Sequence, residues 1–476
     1  MFSVPSVPSV LKNNSRSIAI VGAGLTGLAA AWRLHTAGAR VRLFEASDRV
    51  GGVIQTERAD GWLIEAGPNS LRGGSPELTQ LIAGLGLAPA VVPASSTAKN
   101  RYLVHHGQLV AAPDSPQALL ASPLLSFGTK ARLATELLRR PQPRADDLSL
   151  AALVREHFGD ELVARALDPF VSGVYAGDAD KLSARHAFPE LWAMEQKHGS
   201  LLRAQASAAR ERRAAGRPPS QIFSFADGLA ALPRALAAAL PADAIELNAA
   251  VTGLAPTGTA AASAWQLTWA DAAGLAHTEE FARIILAMPA PALARLAIGA
   301  DAAARPLAVL AEMEHASVAS LFLGYRREQI THPLDGFGLL VPSAEKRAVL
   351  GVIFSSTLFP GRAPEGHVAL TVMAGGTRRP DLAELPSAGL LAAVQPDLAA
   401  LLGTRGEPLF QRHHAWPRAI PQYNLGHEHF LDAMTRCETA HPGVFLASNA
   451  RDGLGLPDRI TAGLCTAGLA GADSCV

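Results

Sequence analysis

The sequence predicts an α/β protein: a Rossmann-type nucleotide-binding domain, a second domain built on a sheet of its own, and a helical insertion. Three observations predict it. The apolar run 18–21 opens into Gly22-x-Gly24-x-x-Gly27, and a breaker-free run of helix formers follows over 25–37. A second strand pattern, 41–44, ends at Glu45, an acid about 20 residues beyond the first glycine. Helical spacing then dominates 115–213, and strand patterns dominate 317–416.

Each residue type in the first segment has a physical task. Gly22 permits the tight turn, Gly24 lets a pyrophosphate approach the backbone, and Gly27 allows helix and strand to pack closely. The candidate phosphate contacts are therefore the backbones of Gly22, Ala23, Gly24, Leu25, Thr26 and Gly27, where a helix N-terminus offers unpaired N–H groups and positive potential. Glu45, followed by Ala46, is placed to accept hydrogen bonds from ribose hydroxyls.

Bulk properties bound the rest. A chain of 476 residues is too long for one small core, so two or three domains are expected. The 42 basic and 42 acidic residues cancel, which argues against a nucleic-acid binder. Cys437, Cys465 and Cys475 make neither a C-x-x-C pair nor a spaced metal set, so a reducing compartment, no disulfide framework and no metal are expected. His105-His106 and His413-His414 are adjacent pairs and read as loop or strand histidines. Residues 1–16 read as a disordered lead-in, and no apolar run is long enough to predict a membrane span.

In chain order, 76–85 reads as a short helix and 100–104 with 108–110 as a hairpin. Helices are expected over 119–138, 148–158, 161–171 and 186–213, punctuated by Pro123, Pro141, Pro143 and Pro169. Arg210, Arg212, Arg213 and Arg217 read as a solvated helix terminus. Strands follow at 221–225, 245–247 and 250–254, with 265–269 expected to pair with 282–286. Later strands are expected at 317–325, 337–342, 348–355, 367–374, 410–416 and 442–447, with helices over 383–402 and 456–470. The expected domain plan is 1–16 lead-in, 17–95 nucleotide domain, 96–215 helical insertion, 216–300 nucleotide domain again, 301–430 substrate domain and 431–476 nucleotide domain.

Several motifs carry a family resemblance. Asp48-Arg49-Val50-Gly51-Gly52 resembles the D/E-R-x-G-G continuation of flavoproteins of the amine oxidase superfamily, and Gly67-Pro68-Asn69-Ser70 resembles the segment beside the flavin in its protoporphyrinogen-oxidising branch. Residues 168–178 (DPFVSGVYAGD), 336–343 (GFGLLVPS) and 416–427 (WPRAIPQYNLGH) are similar to further stretches of the oxygen-dependent protoporphyrinogen oxidase family, and 449–460 to its terminal flavin segment. The third stretch is highly specific to that family.

The resemblance implies FAD as cofactor, held by the glycine fingerprint with Glu45, Ala46, Arg49, Gly51, Gly52, Val53, Gly67, Pro68, Asn69, Ser70, Val251, Asn449, Leu454, Gly455 and Leu456. It implies three rounds of hydride transfer from a porphyrinogen to flavin N5, with dioxygen as final acceptor, hydrogen peroxide as by-product and no catalytic side chain. Arg101 would pair with a substrate propionate, Gly173 would let backbone approach the macrocycle, and Phe337 and Leu340 would face the pyrroles. Protoporphyrinogen IX is the expected substrate, with coproporphyrinogen III the alternative. A flavin amine oxidase or carotenoid desaturase, and a flavin- or porphyrin-binding protein without turnover, are the competing classes. The Ala/Leu-rich composition of 115–213, without a spanning segment, makes this block either a face that meets a membrane surface or an ordinary helical subdomain, and a homodimer and hand-over to a ferrochelatase are the other expected partners. The implied location is the cytoplasm, peripheral on the inner face of the cell membrane. The terminal segment departs from the family pattern at Ala447-Ser448-Asn449 and at Pro457, although proline suits the first turn of a helix.

Overall fold

The computed structural model describes residues 17–113, 116–141, 144–214, 220–257 and 264–471. The expected lead-in, Cys475 and Arg217 lie outside them. Two compact units divide the chain, one from 1–52, 233–311 and 431–476, the other from 53–232 and 312–430. The sequence plan instead drew its boundaries at 95, 215, 300 and 430. The stretch after Gly52 leaves the first unit because it pairs elsewhere: Leu71–Arg72 and Val91–Pro93 flank Ile222–Phe225 in a small sheet of the second unit.

The first unit is built on a five-stranded parallel sheet in the order Ile245–Glu246, Arg40–Phe44, Ser17–Val21, Arg283–Leu286, Val444–Leu446. Its central strand is buried throughout, which explains why it reads as a continuous apolar run. The helix Leu25–Thr36 follows it and packs against the last helix, Leu456–Gly471. That approach is close: a Cβ at Gly463 would collide with the Thr26 carbonyl oxygen. A second sheet carries Ala276–Phe281, Ala264–Ala270, Ala250–Thr257 and Ala297–Ile298. Here one expectation is corrected. Trp265 pairs with Phe281 and Trp269 with His277, so 265–269 forms a hairpin with 276–281, closed by a turn in which Asp271 caps Ala273 and Leu275. The apolar run just beyond belongs to the parallel sheet, because Ile284, Ile285 and Leu286 are buried on both faces there.

The second unit holds a seven-stranded sheet in the order Phe410–Pro421, His315–Arg326, His367–Gly375, Val349–Ile353, Gly336–Leu340, Asn100–His105, Gln108–Ala111. All neighbours are antiparallel except Gly336–Leu340 with Asn100–His105. One face carries Leu321, Leu323, Leu339, Val352, Leu370 and Val372 against the helix Ser387–Leu402. Tyr325 is fully buried in this core, and burial pushes its hydroxyl up to about 12.

The helical insertion is more broken than its periodicity suggests. The run 119–138 splits into Pro116–Ala121 and Phe127–Glu136 around Pro123. The run 186–213 splits into Ala184–Ala187, Pro189–His198 and Leu201–Ala214, at Pro189 and at Gly199, whose φ is +71°. Arg210 and Arg213 are exposed near the end of the last of these.

Glu136 organises this block. Its buried carboxylate accepts hydrogen bonds from the Leu201 amide at 2.6 Å and the Ser200 hydroxyl at 2.7 Å, and meets His157 at 2.9 Å. Glu161 fastens another helix start, taking the Ser126 amide at 2.9 Å, the Thr129 hydroxyl at 2.5 Å and Arg165 at 2.6 Å. Burial works against the Glu161 charge, but these donors outweigh it and hold the carboxyl down to about 2, against an ordinary 4.5. The unfolded chain therefore takes up this proton first as pH falls, so the contribution is whole above about 4.5 and is lost toward about 2. Glu161→Gln should lower stability at neutral pH by about 1.5–3 kcal/mol. It should also flatten the acid fall in melting temperature, read by circular dichroism; an unchanged acid slope would rule the contribution out.

Candidate functional site

Candidate residues lie in both units, and each unit is taken by itself. In the first, the strand Ser17–Val21 delivers the chain into a turn at Gly22, whose φ is +103° and whose amide donates to the Phe44 carbonyl at 2.7 Å. A side chain at Gly22 would sit 2.5 Å from the Ala287 carbonyl oxygen, and one at Gly27 would collide with the carbonyl of Gly22. Gly24 differs: a Cβ there would have nothing within 4 Å. It is the N-cap of Leu25–Thr36, no side chain caps that helix, and no acid stands in its first turn. The amides of Leu25, Thr26 and Gly27 thus begin an uncapped helix beside open space, a cradle suited to an anion.

Glu45 is fixed at the edge of this cradle. It takes the Ala23 amide on one carboxylate oxygen at 2.7 Å, and the Ser47 amide and hydroxyl on the other at 3.0 and 2.9 Å. Each oxygen keeps lone-pair capacity for a further donor such as a ribose hydroxyl. Ala46 continues from this strand end, where the Ala249 amide donates to the Glu45 carbonyl at 2.8 Å and so sets the start of the strand bearing Val251. Arg49 turns onto its own loop, donating to the Gly52 carbonyl at 2.8 Å and to that of Val50 at 3.3 Å. The Gly51 amide bonds the Ala23 carbonyl at 2.8 Å, and a Cβ at Gly52 would stand 3.3 Å from the Gly24 Cα. Arg49 is thereby a clamp that lays Gly51-Gly52 across the cradle.

At the far end of the unit, Ser448 anchors the terminal loop through the Met288 carbonyl at 2.8 Å and the Asp452 carboxylate at 3.0 Å, beside the half-buried Asn449. The Gly455 amide donates to Asp458 at 3.0 Å. Of the backbone donors expected at Leu454, Gly455 and Leu456, that one is occupied within the protein.

The second unit gathers the other residues singled out in the sequence. Gly67 is pressed so closely onto the Val53 carbonyl that a Cβ would collide with it, and the Trp416 indole donates to the neighbouring Ala66 carbonyl at 2.9 Å. Pro68 follows, the Asn69 amide folds back onto the Gly67 carbonyl at 3.0 Å, and Ser70 completes the segment. Arg101 lies opposite Gly338 in the parallel pair, and its guanidinium sits 5.8 Å from the centre of the Phe337 ring. Gly173, on the helix Asp168–Val174, approaches Leu340 so closely that a Cβ would collide with it.

The sheet register extends this group. Leu340 lies opposite Gly351, and Gly351 opposite Met373; Gly338 lies opposite Ile353. Leu339, Val352 and Val372 face the helix-covered core, so Arg101, Leu340, Ile353 and Met373 share the other face. Ile353 and Met373 were not found in the sequence, because only cross-strand register places them beside Leu340. The family-like stretches act as braces: Asp168 takes the Ser343 amide at 2.7 Å and Arg378 at 2.5 Å, and Gln422 donates to the Tyr175 carbonyl at 3.1 Å.

A parallel βαβ cradle with a ribose-type acid defines a dinucleotide-binding protein. Comparison with known proteins specifies it further. The model of the flavin containing amine oxidoreductases matches residues 25–467. The mitochondrial protoporphyrinogen oxidase of Nicotiana tabacum is 32% identical, with 98% of this chain and 96% of that protein covered. The coproporphyrinogen III oxidase of Bacillus subtilis (strain 168) is 28% identical, over 95% and 97%. A crystal structure from Exiguobacterium sp. 255-15, provisionally named protoporphyrinogen oxidase, superposes with a TM-score of 0.78 at 26% identity, covering 96% of this chain and 99% of that one. The chain belongs to the flavin containing amine oxidoreductases and, within them, to the protoporphyrinogen oxidase family: it is an FAD-dependent enzyme.

Proposed function

We propose that the enzyme oxidises protoporphyrinogen IX to protoporphyrin IX, with dioxygen as the terminal acceptor. The observation that carries this reading is the charge balance around the second unit's apolar face. Arg378 is neutralised by Asp168 at 2.5 Å and Asp178 at 2.9 Å, and Arg165 by Glu161 at 2.6 Å. Arg101 instead lies over Phe337 at the rim and forms no ion pair with an acid of the described residues. A guanidinium without an acid partner, on the same sheet face as Leu340, Ile353 and Met373, suits a flat, apolar macrocycle that bears a carboxylate. Coproporphyrinogen III, with four propionates, is the second reading, supported by the Bacillus subtilis relative.

FAD, when bound, supplies the two-electron acceptor. The backbones of Gly22 through Gly27 would hold its pyrophosphate, Glu45 its ribose and Val251 its adenine. Gly67–Ser70, Asn449 and Leu454–Leu456 would lie along the flavin. The second unit's own work is positioning: Arg101 binds a propionate, the sheet face excludes water, and Gly173 lets Leu340 pack tightly against its helix. None of Leu340, Ile353, Met373, Phe337 and Gly173 can accept a proton, so these residues contribute geometry rather than acid–base chemistry. The deciding experiment is anaerobic reduction of the bound flavin by each porphyrinogen. Faster bleaching by protoporphyrinogen is expected. Faster bleaching by coproporphyrinogen would select the second reading, and none by either would end both.

We also propose that the helical insertion meets a membrane surface. Phe127 is 87% exposed and Leu138 78%, with Lys130, Arg132 and Arg140 on the same stretch. No helix among the described residues is long and apolar enough to cross a bilayer. The protein should co-sediment with anionic liposomes, and Phe127→Asp with Leu138→Asp should weaken this severalfold. Failure to sediment at any salt concentration would dispose of the idea.

A further inference from the structure

We propose that Asp147, His186 and Glu428 form a binding site for a borderline divalent cation, with Zn²⁺ the ion best suited to the donor set. One ligand atom from each lies within 4.8 Å of the others. The three come from separate segments of the second unit: the loop before the helix Leu150–Phe158, the helix Ala184–Ala187, and the first turn of Glu428–Ala440.

The site is oriented by its surroundings. Asp147 is held by the Leu148 amide at 2.8 Å and the Arg185 amide at 3.2 Å on one oxygen. Its other oxygen takes only the Ser183 hydroxyl, at 2.5 Å, and keeps a lone pair for a metal. Ser183 in turn caps the helix Ala184–Ala187 by accepting the backbone amide of His186 at 2.8 Å, which ties that helix start to Asp147. The His186 side chain is only 14% exposed, and its Nε2 is a buried nitrogen without a hydrogen bond, 3.2 Å from the Glu428 carboxylate. A carboxylate oriented by hydrogen bonds, as Asp147 is, is what an aligned metal ligand requires.

The electrostatics agree. Neither carboxylate has a lysine or arginine ion-pair partner among the described residues; His186 is the only basic side chain paired with Glu428. Two carboxylates and one neutral imidazole balance a doubly charged ion. One nitrogen and two oxygens match the ligand types of Zn²⁺, and the exposed side of Glu428 leaves a fourth position open to water. The imidazole disfavours Mg²⁺ and Ca²⁺, which prefer oxygen alone. A bound ion would cross-link three segments far apart in the chain, independently of the oxidation reaction.

The FAD-loaded protein, stripped with chelator, should be titrated with Zn²⁺ and separately with Mg²⁺, by calorimetry and by thermal melting. One Zn²⁺ per chain and a rise in melting temperature are expected, with no response to Mg²⁺. His186→Ala and Glu428→Gln should each weaken Zn²⁺ binding by at least about tenfold. Both variants should keep normal FAD content, since neither residue is among those proposed to hold the cofactor. No binding by the wild type would overturn the proposal. Equal binding by the wild type and His186→Ala would also overturn it, because the ion would then sit elsewhere.

Discussion

A Gly24→Val protein should fold and purify without the yellow of bound flavin, whereas Gly27→Val should lose the colour and part of its stability as well. The two positions lie three residues apart and differ in what surrounds them. A Cβ at Gly24 meets no atom within 4 Å, and its φ of −69° is open to any residue. The substitution therefore leaves the fold alone and fills the space where a pyrophosphate would approach the uncapped helix. Losing one charge-assisted bond there, at about 1.5–3 kcal/mol, should reduce FAD affinity by roughly ten- to a hundredfold. A side chain at Gly27 collides with the Gly22 carbonyl, which is backbone and cannot rotate away. Overpacking of that kind costs about 1–3 kcal/mol or more. The flavin-to-protein absorbance ratio and a thermal melt separate the two effects. A yellow Gly24→Val protein would mean that the cofactor phosphates lie elsewhere.

Removal of the Arg101 guanidinium should weaken substrate binding far more than it slows turnover. A charge-assisted bond to a carboxylate is worth about 1.5–3 kcal/mol, so Arg101→Ala should raise KM by roughly ten- to a hundredfold, with a much smaller fall in kcat. Arg101→Lys should recover only part of this, since an ammonium lacks the planar fork that binds a carboxylate bidentately and stacks on Phe337. FAD content should be normal in both. Oxygen uptake measured with both porphyrinogens is the test, and unchanged KM values for both would show that Arg101 holds no propionate.

The cradle was legible because every part of it is local. Strand, glycine turn, helix and ribose-type acid fall within about 30 residues, and Gly22 and Gly27 answer to backbone constraints that sequence spacing already implies. Legibility failed where the deciding contact was distant. The Trp265–Trp269 strand was assigned to the apolar run 282–286, since hydrophobicity alone cannot tell a hairpin partner from a parallel strand that begins two residues later. Ile353 and Met373 join Leu340 only through a register spanning three strands. The clamp role of Arg49 was hidden for another reason: a cation beside a glycine pair suggests a phosphate partner, yet its donors are spent on carbonyls of its own loop. Helix periodicity over 186–213 survived two interruptions because Pro189 and Gly199 fall between apolar positions without breaking their spacing.

The central strand Ser17–Val21 pairs with Arg40–Phe44 almost at once, but its other neighbour, Arg283–Leu286, pairs in turn with Val444–Leu446 at the sheet edge. During synthesis, at about 5–20 residues per second, that edge strand leaves the ribosome roughly 20–85 s after the first. Until then the emerging sheet exposes the unpaired edge of a buried strand, and the helix Leu25–Thr36 lacks the surface of Leu456–Gly471 that covers it. The nascent chain is thus a natural client for chaperones over most of its translation. Yield in a foreign host should respond more to holdase supply and translation speed than to any change in the finished fold.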